Sequence, residues 1–317
     1  MKIHKRLLLP VLTIGVALTG LSSVVVSAQS DNNKVWCGLF NPTCAAESTP
    51  PPSQPQPQPT PPAPSPSPSP AGIYAAVGDS VAAGLGLPAA TDATATDKLC
   101  GRSPEAYPAL VASKQKLSLI NATCSGATAG DLVSKQGVDG PNLPPQLTTA
   151  FAKGVPQLMT VTAGANDAHW SDVIKTCYST NCTKDTYKTT LKAYLVTLEG
   201  KLAYAMADIQ ARSGGKPPQV LVTGYYNPLS SACLSKQEGI TTAELLWLND
   251  ARDSLNSAIK KTVTAYSFVR YVPISFSGHD ACAKNPWVQG LSDAAPFHPN
   301  AKGEQEYARS INAAIRR

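Results

Sequence analysis

The chain has 317 residues, of which only 15% are charged, and a formal net charge of +6. Three of its 27 Lys and Arg, and none of its 21 Asp and Glu, lie in the first six residues, so a chain lacking them carries +3. No polybasic run remains, which excludes nucleic-acid binding through an electrostatic footprint.

Lys2, Lys5 and Arg6 precede an apolar run over residues 7–26, and Val26-Ser27-Ala28 sets small residues where a signal peptidase reads. This layout predicts a signal peptide over residues 1–28. The run also approaches the roughly 20 residues that span a bilayer, which is the competing reading as a retained anchor. Pro10, Gly15, Gly20 and two serines weigh against a permanent span. No later segment is long and apolar enough to cross a membrane.

Residues 29–47 form a short leader in which Cys37 and Cys44 are close enough to close a local loop. Residues 48–70 turn abruptly to Pro, Ser, Gln and Thr, a composition that cannot bury a core and favours extended polyproline II. The stretch reads as a spacer holding the next domain off a membrane or cell wall, or as a disordered leader. All eight cysteines (Cys37, Cys44, Cys100, Cys124, Cys177, Cys182, Cys233 and Cys282) follow the expected cleavage point. An even number in an exported chain reads as disulfides, with roughly 105 pairings open. There is no C-x-x-C and no histidine at ligand spacing to a cysteine pair, so no metal is expected.

Residues 71–317 read as one domain, large enough for a substantial core. Strands are expected at 73–77, ending at Gly78, then at 117–120, 158–162, 220–223 and 268–272. Helices are expected at 105–114, 184–212, 241–263 and 303–315. This alternation predicts an α/β fold with a parallel sheet between helical layers. In such sheets the active site lies outside the carboxyl ends of the strands.

Three polar clusters fall there. Gly78-Asp79-Ser80 follows the first strand, Gly164-Ala165-Asn166-Asp167 the third, and Phe297-His298-Pro299-Asn300 precedes the last helix. A serine at a strand-to-helix turn is exposed, and His298 is a suitable base for its hydroxyl. A helix N-terminus beside His298 would disfavour imidazolium and keep the base neutral. The Asn166 amide can donate to a developing oxyanion. Taken singly, these are an ordinary turn, a loop cap and a surface histidine; their order and strand-end placement are what make them specific.

With these blocks in order, the chain resembles the SGNH (GDSL-type) hydrolase family, and within it the actinobacterial secreted lipase and esterase branch. The first block matches at Gly78-Asp79-Ser80, and a Cys-Ser-Gly-Ala-Thr segment at residues 124–128 points to Gly126. Gly-x-Asn-Asp matches at residues 164–167, and His-Pro-Asn followed by glycine at 298–303. The resemblance covers essentially all of residues 71–317 and implies a flavodoxin-like three-layer sandwich. It also implies Ser80 as nucleophile, His298 as base, and an oxyanion hole from the Ser80 and Gly126 N–H groups and the Asn166 side chain. The expected partner is an ester substrate (lipid, short-chain ester or acetylated glycan), the expected state a monomer, and no cofactor is implied. The rival α/β-hydrolase reading expects Gly-x-Ser-x-Gly, which occurs nowhere in the chain.

One position departs from the pattern. The family usually places aspartate three residues before the histidine, and Ala295 stands there. Either the carbonyl of Ala295 or a neighbour orients the imidazole, giving a Ser–His dyad, or Asp293 reaches it through a bulged loop. The resemblance further implies Cys100–Cys124, Cys177–Cys182 and Cys233–Cys282 disulfides, with Cys37–Cys44 additional. His169 and Trp170 are candidates to line the substrate pocket, His279-Asp280 resembles a fragment of a second triad, and Trp287 is a candidate cleft wall or simple packing. Asn121 and Asn181 head glycosylation sequons. Two further readings stand beside the esterase: a carbohydrate O-acetyl esterase, and a wall-tethered binding module with a degenerate hydrolase fold. Intact Ser80, Gly126, Asn166 and His298 argue against the module.

Overall fold

The computed structural model describes residues 72–137, 142–179, 181–234 and 240–315. The expected signal segment, the Cys37–Cys44 loop and the proline-rich stretch lie outside the described residues.

Five strands form one sheet: β1 (Ile73–Gly78), β2 (Ser118–Asn121), β3 (Leu158–Thr162), β4 (Gln219–Thr223) and β5 (Val269–Val272). All neighbours pair in parallel, in the order β2-β1-β3-β4-β5. Each lies within a residue of its expected place. Parallel strands covered on both faces need nearly continuous apolar runs, which are easy to read. β3 is buried throughout and β1 from Tyr74 onward, whereas the edge strand β2 is half-buried.

From β1 the chain winds out to β2, then returns to β3 on the other side of β1. The winding therefore reverses between β1 and β3, and a ligand crevice opens at the carboxyl ends of strands at such a reversal. Gly78 and Thr162, at those ends, face each other in register.

The helices expected from the sequence are α3 (Tyr107–Gln115), α6 (Asp185–Arg212), α7 (Thr242–Val263) and α8 (Ala301–Ala314). α3 packs with α8, and α6 with α7, as the helical layers of a three-layer α/β fold. A capping box of Thr241 and Glu244 starts α7. α8 begins two residues before its expected start, because the Asn300 side chain accepts from the Lys302 and Gly303 N–H groups and caps it. Four further helices escaped the sequence pattern: α1 (Ser80–Ala83), α2 (Ala95–Cys100), α4 (Gln146–Ala150) and α5 (Trp170–Ser179). Of these, α1, α2 and α4 are too short for a 3.6-residue period to show.

Disulfides join Cys100 to Cys124, Cys177 to Cys182 and Cys233 to Cys282. Cys37 and Cys44 are outside the described residues.

Candidate active site

The turn after β1 is built by close backbone approach. A Cβ on Gly78 would come within 2.3 Å of the Thr162 carbonyl oxygen, at a φ of +143°, so only glycine fits. The Gln146 side chain accepts from Gly78 N–H at 2.6 Å and donates back to its carbonyl at 3.0 Å. Asp79 donates its own N–H to Thr162 O and caps α1 by accepting from Val81 N–H. Ser80 thus becomes the first residue of α1.

His298 arrives from the loop before α8. Nε2 of His298 lies 2.8 Å from Ser80 Oγ, and Nδ1 lies 3.2 Å from the carbonyl oxygen of Pro296. A carbonyl can only accept, so Nδ1 carries the proton and bare Nε2 accepts from the serine hydroxyl. Burial depresses the pKa of His298 below its ordinary value, with the Pro296 and Ala295 carbonyls pulling the other way. Desolvation thus disfavours the charged ring, which stands two residues before Asn300, the N-cap of α8.

Several contacts hold this loop in place. Phe297 adopts a left-handed φ of +65°, turning the chain so that His298 faces Ser80. The Tyr226 hydroxyl donates to the Phe297 carbonyl at 2.6 Å. Gln289 donates to the carbonyls of Leu85 and Pro299 and accepts from Ala295 N–H, fastening the loop to the residues that follow α1.

The structure places the two candidate partners of the imidazole differently. The Asp293 carboxylate accepts from Gly290 N–H at 2.7 Å and closes an exposed turn, while its N–H returns to Gly290 O. Among the described residues no hydrogen bond joins Asp293 to His298, and its partner is Gly290. The carbonyl hydrogen-bonded to Nδ1 belongs to Pro296, the neighbour of Ala295, as the dyad alternative allows. The Ala295 oxygen accepts the main-chain N–H of His298 at 3.1 Å, and the turn at Phe297 brings the next carbonyl to the ring.

Asn166 follows β3, and one of its amide hydrogens donates to Ala127 O at 2.8 Å, leaving the other for a ligand. Asn166 shares a cavity of about 380 Å³ with Ser80 and His298. Gly126, next to Ala127, has a φ of +79° and open space where a side chain would stand. Among the described residues, the main-chain N–H groups of Ser80 and Gly126 meet no hydrogen-bond partner. The Gly126 loop is braced by the Cys100–Cys124 bridge and by Ser125, whose N–H and hydroxyl both donate to Cys100 O. Asp167 links the same two loops, accepting from Ala129 N–H and from Lys201 Nζ.

Of the secondary candidates, Trp170 lines this cavity. His169 instead stacks on Tyr194 and faces a separate cavity. His279 stacks flat on Trp287 at 3.8 Å, with its Nδ1 on Asn285 O, so both rings are packing elements. Asp280 caps Cys282 N–H. Cys233, Asp280 and Cys282 come close enough to suggest a metal, but the two sulfurs are bonded to each other and offer no thiolate. No motif or periodicity in the sequence signals Tyr225, Tyr226 or Gln289, whose contacts with Asp79, Phe297 and Leu85 respectively are long-range.

A doubly wound parallel sheet, with Ser80 in hydrogen-bond contact with His298 beside its winding reversal, defines an acyl hydrolase of the SGNH type. Residues 76–306 match the GDSL-like Lipase/Acylhydrolase family, and the chain belongs to it. It is an ester-bond hydrolase. It is 29% identical over 252 residues to a lipase of Streptomyces rimosus, covering 76% of this chain and 86% of that one. It is 27% identical over 254 residues to Lipase 2 of Streptomyces coelicolor, covering 74% and 83%. The solved extracellular lipase from Streptomyces rimosus superposes with a TM-score of 0.64 at 28% identity, over 77% of this chain and all of that one. Phospholipase A1 from Streptomyces albidoflavus superposes with a TM-score of 0.61 at 29% identity, over 77% and 99%.

Proposed function

We propose that the chain is an exported carboxylic ester hydrolase working through a Ser80–His298 dyad. The observation that carries this reading is the 2.8 Å contact between Ser80 Oγ and His298 Nε2 in a ring whose other nitrogen is fixed by Pro296 O.

Ser80 Oγ attacks the ester carbonyl as His298 Nε2 takes its proton. The carbonyl oxygen becomes an oxyanion, held by the N–H groups of Ser80 and Gly126 and by the Asn166 amide. Collapse breaks the ester bond, and the proton on Nε2 leaves with the alcohol. Water then attacks the acyl-serine, giving its proton to Nε2, and the acid departs as Oγ is reprotonated. Donors already aimed at the oxyanion need no reorganisation when charge develops.

The cavity beside the dyad is walled by Trp170, Ile174, Leu291 and Phe297, an apolar lining that suits an acyl chain. Relatives named lipase and phospholipase A1 point the same way. Export is supported by the basic-then-apolar N-terminus, by three disulfides and by a relative described as extracellular. Residues 48–70 are read as the spacer between the leader and the hydrolase domain.

The test is a rate series on p-nitrophenyl esters from acetate to palmitate. Turnover extending well beyond acetate, and lost in Ser80→Ala, is the expected result. A profile confined to acetate would redirect the reading to glycan O-deacetylation, and no turnover of any ester would leave the binding-module reading.

A further inference from the structure

Tyr225 stands just beyond β4, and its phenol is committed to two partners. The hydroxyl donates to Asp79 Oδ2 at 2.6 Å and accepts from Ala165 N–H at 3.1 Å. Asp79 is the residue before Ser80, and Ala165 the residue before Asn166. One buried oxygen therefore spans the turn that carries the nucleophile and the loop that carries the side-chain oxyanion donor.

The tyrosine is itself anchored. Asn256 of α7 accepts from Tyr225 N–H and donates to Tyr225 O, both at 2.8 Å. From Asn166 the chain of contacts runs on through its amide to Ala127 O, beside Gly126. Ser80, at the start of α1, and Asn166 and Gly126, in two loops, come from three separate segments, and this path is continuous through all of them. Asp79 and Tyr225 are both buried, so water does not compete for these bonds.

We infer that Tyr225 is a positioning residue for the oxyanion hole, its hydroxyl setting the separation between the Ser80 turn and the Asn166 loop. It donates no proton to substrate: its single hydrogen is spent on Asp79. The inference rests on the proposed Ser80–His298 chemistry. Its weight should fall on the transition state, because the spacing it controls matters most when the carbonyl oxygen becomes charged.

The test is Tyr225→Phe, which keeps the ring and removes only the oxygen. Expected is a fall in kcat of roughly ten- to hundredfold with KM within about twofold, since a hydrogen bond to a buried carboxyl is lost. Affinity for a boronic acid, which mimics the tetrahedral adduct, should fall by the same factor as kcat/KM. A kcat within about twofold of the parent, or a lower kcat with undiminished boronate affinity, overturns the inference. Should this variant not fold, Asn256→Ala loosens the anchor of the same tyrosine. Matched losses in kcat and boronate affinity are then expected, and unchanged values overturn the inference. The parent protein is labelled in parallel with a fluorophosphonate. Labelling of the parent at Ser80 together with a fully active Tyr225→Phe refutes the role of Tyr225 alone, whereas an unlabelled parent refutes the dyad beneath it.

Discussion

Nδ1 of His298 faces the carbonyl oxygen of Pro296 at 3.2 Å, where a triad hydrolase would present a carboxylate. A main-chain dipole fixes the tautomer and the ring angle but brings no full charge to stabilise imidazolium. Asp293→Asn should therefore lower kcat less than about tenfold, whereas His298→Ala removes the base and should lower it by at least roughly a hundredfold. Steady-state rates of the two variants on one ester check this. A large loss in Asp293→Asn would restore the triad.

The pH profile follows from the same arrangement. The general base must be unprotonated, and burial holds the imidazole below its ordinary 6.5. The acid limb of kcat/KM should therefore have its midpoint below 6.5 and be flat by neutral pH. Asp293→Asn should leave that midpoint in place, which a pH series on both proteins measures.

Removing the side-chain donor should affect turnover far more than binding. Asn166→Ala is expected to lower kcat by about a hundred- to a thousandfold, some 3–4 kcal/mol, with KM little changed. Part of the loss reflects the freed Ala127 carbonyl. An equal change in KM and none in kcat would remove Asn166 from the oxyanion hole.

Asp79 makes a separate prediction about stability. Burial pushes its carboxyl up from 3.8 to about 7, although the Tyr225 hydroxyl and Val81 N–H oppose the shift. Between those values the folded protein keeps a proton that the unfolded chain has released. The contribution of Asp79 is thus fully present below about pH 4 and is lost as pH rises towards 7, with a slope of at most ~1.4 kcal/mol per pH unit. Urea unfolding from pH 4 to 8 should show a flatter profile for Asp79→Asn than for the parent.

The cavity wall should set chain-length preference. Ile174 of α5 is buried and lines the cavity near the dyad. Ile174→Trp fills part of that space, so the butyrate-to-palmitate rate ratio should rise by roughly tenfold or more, as overfilling an apolar pocket costs on the order of 1–3 kcal/mol. An unchanged ratio would place the acyl chain elsewhere.

What could be read from sequence was whatever lies in short contiguous signals. The five strands were legible as apolar runs, and Ser80, Asn166 and His298 as polar residues placed directly after strands or before a helix. Tyr225 and Gln289 were not, because their partners Asp79 and Leu85 lie 146 and 204 residues away and no periodicity records such a pairing. The sequence leaves the orienting carbonyl open between Ala295 and a neighbour for a local reason. The left-handed turn at Phe297 redirects the chain just before His298, and a phenylalanine in that conformation is not signalled by its own residue type.

The central claim is that Ser80 is an activated nucleophile, and covalent capture tests it most directly. The folded protein is treated with a fluorophosphonate and the adduct is mapped by peptide mass spectrometry. One adduct on the peptide carrying Ser80, absent from Ser80→Ala and formed far more slowly in His298→Ala, is the predicted result. A folded, unlabelled protein, or a label on a different serine, would contradict the account.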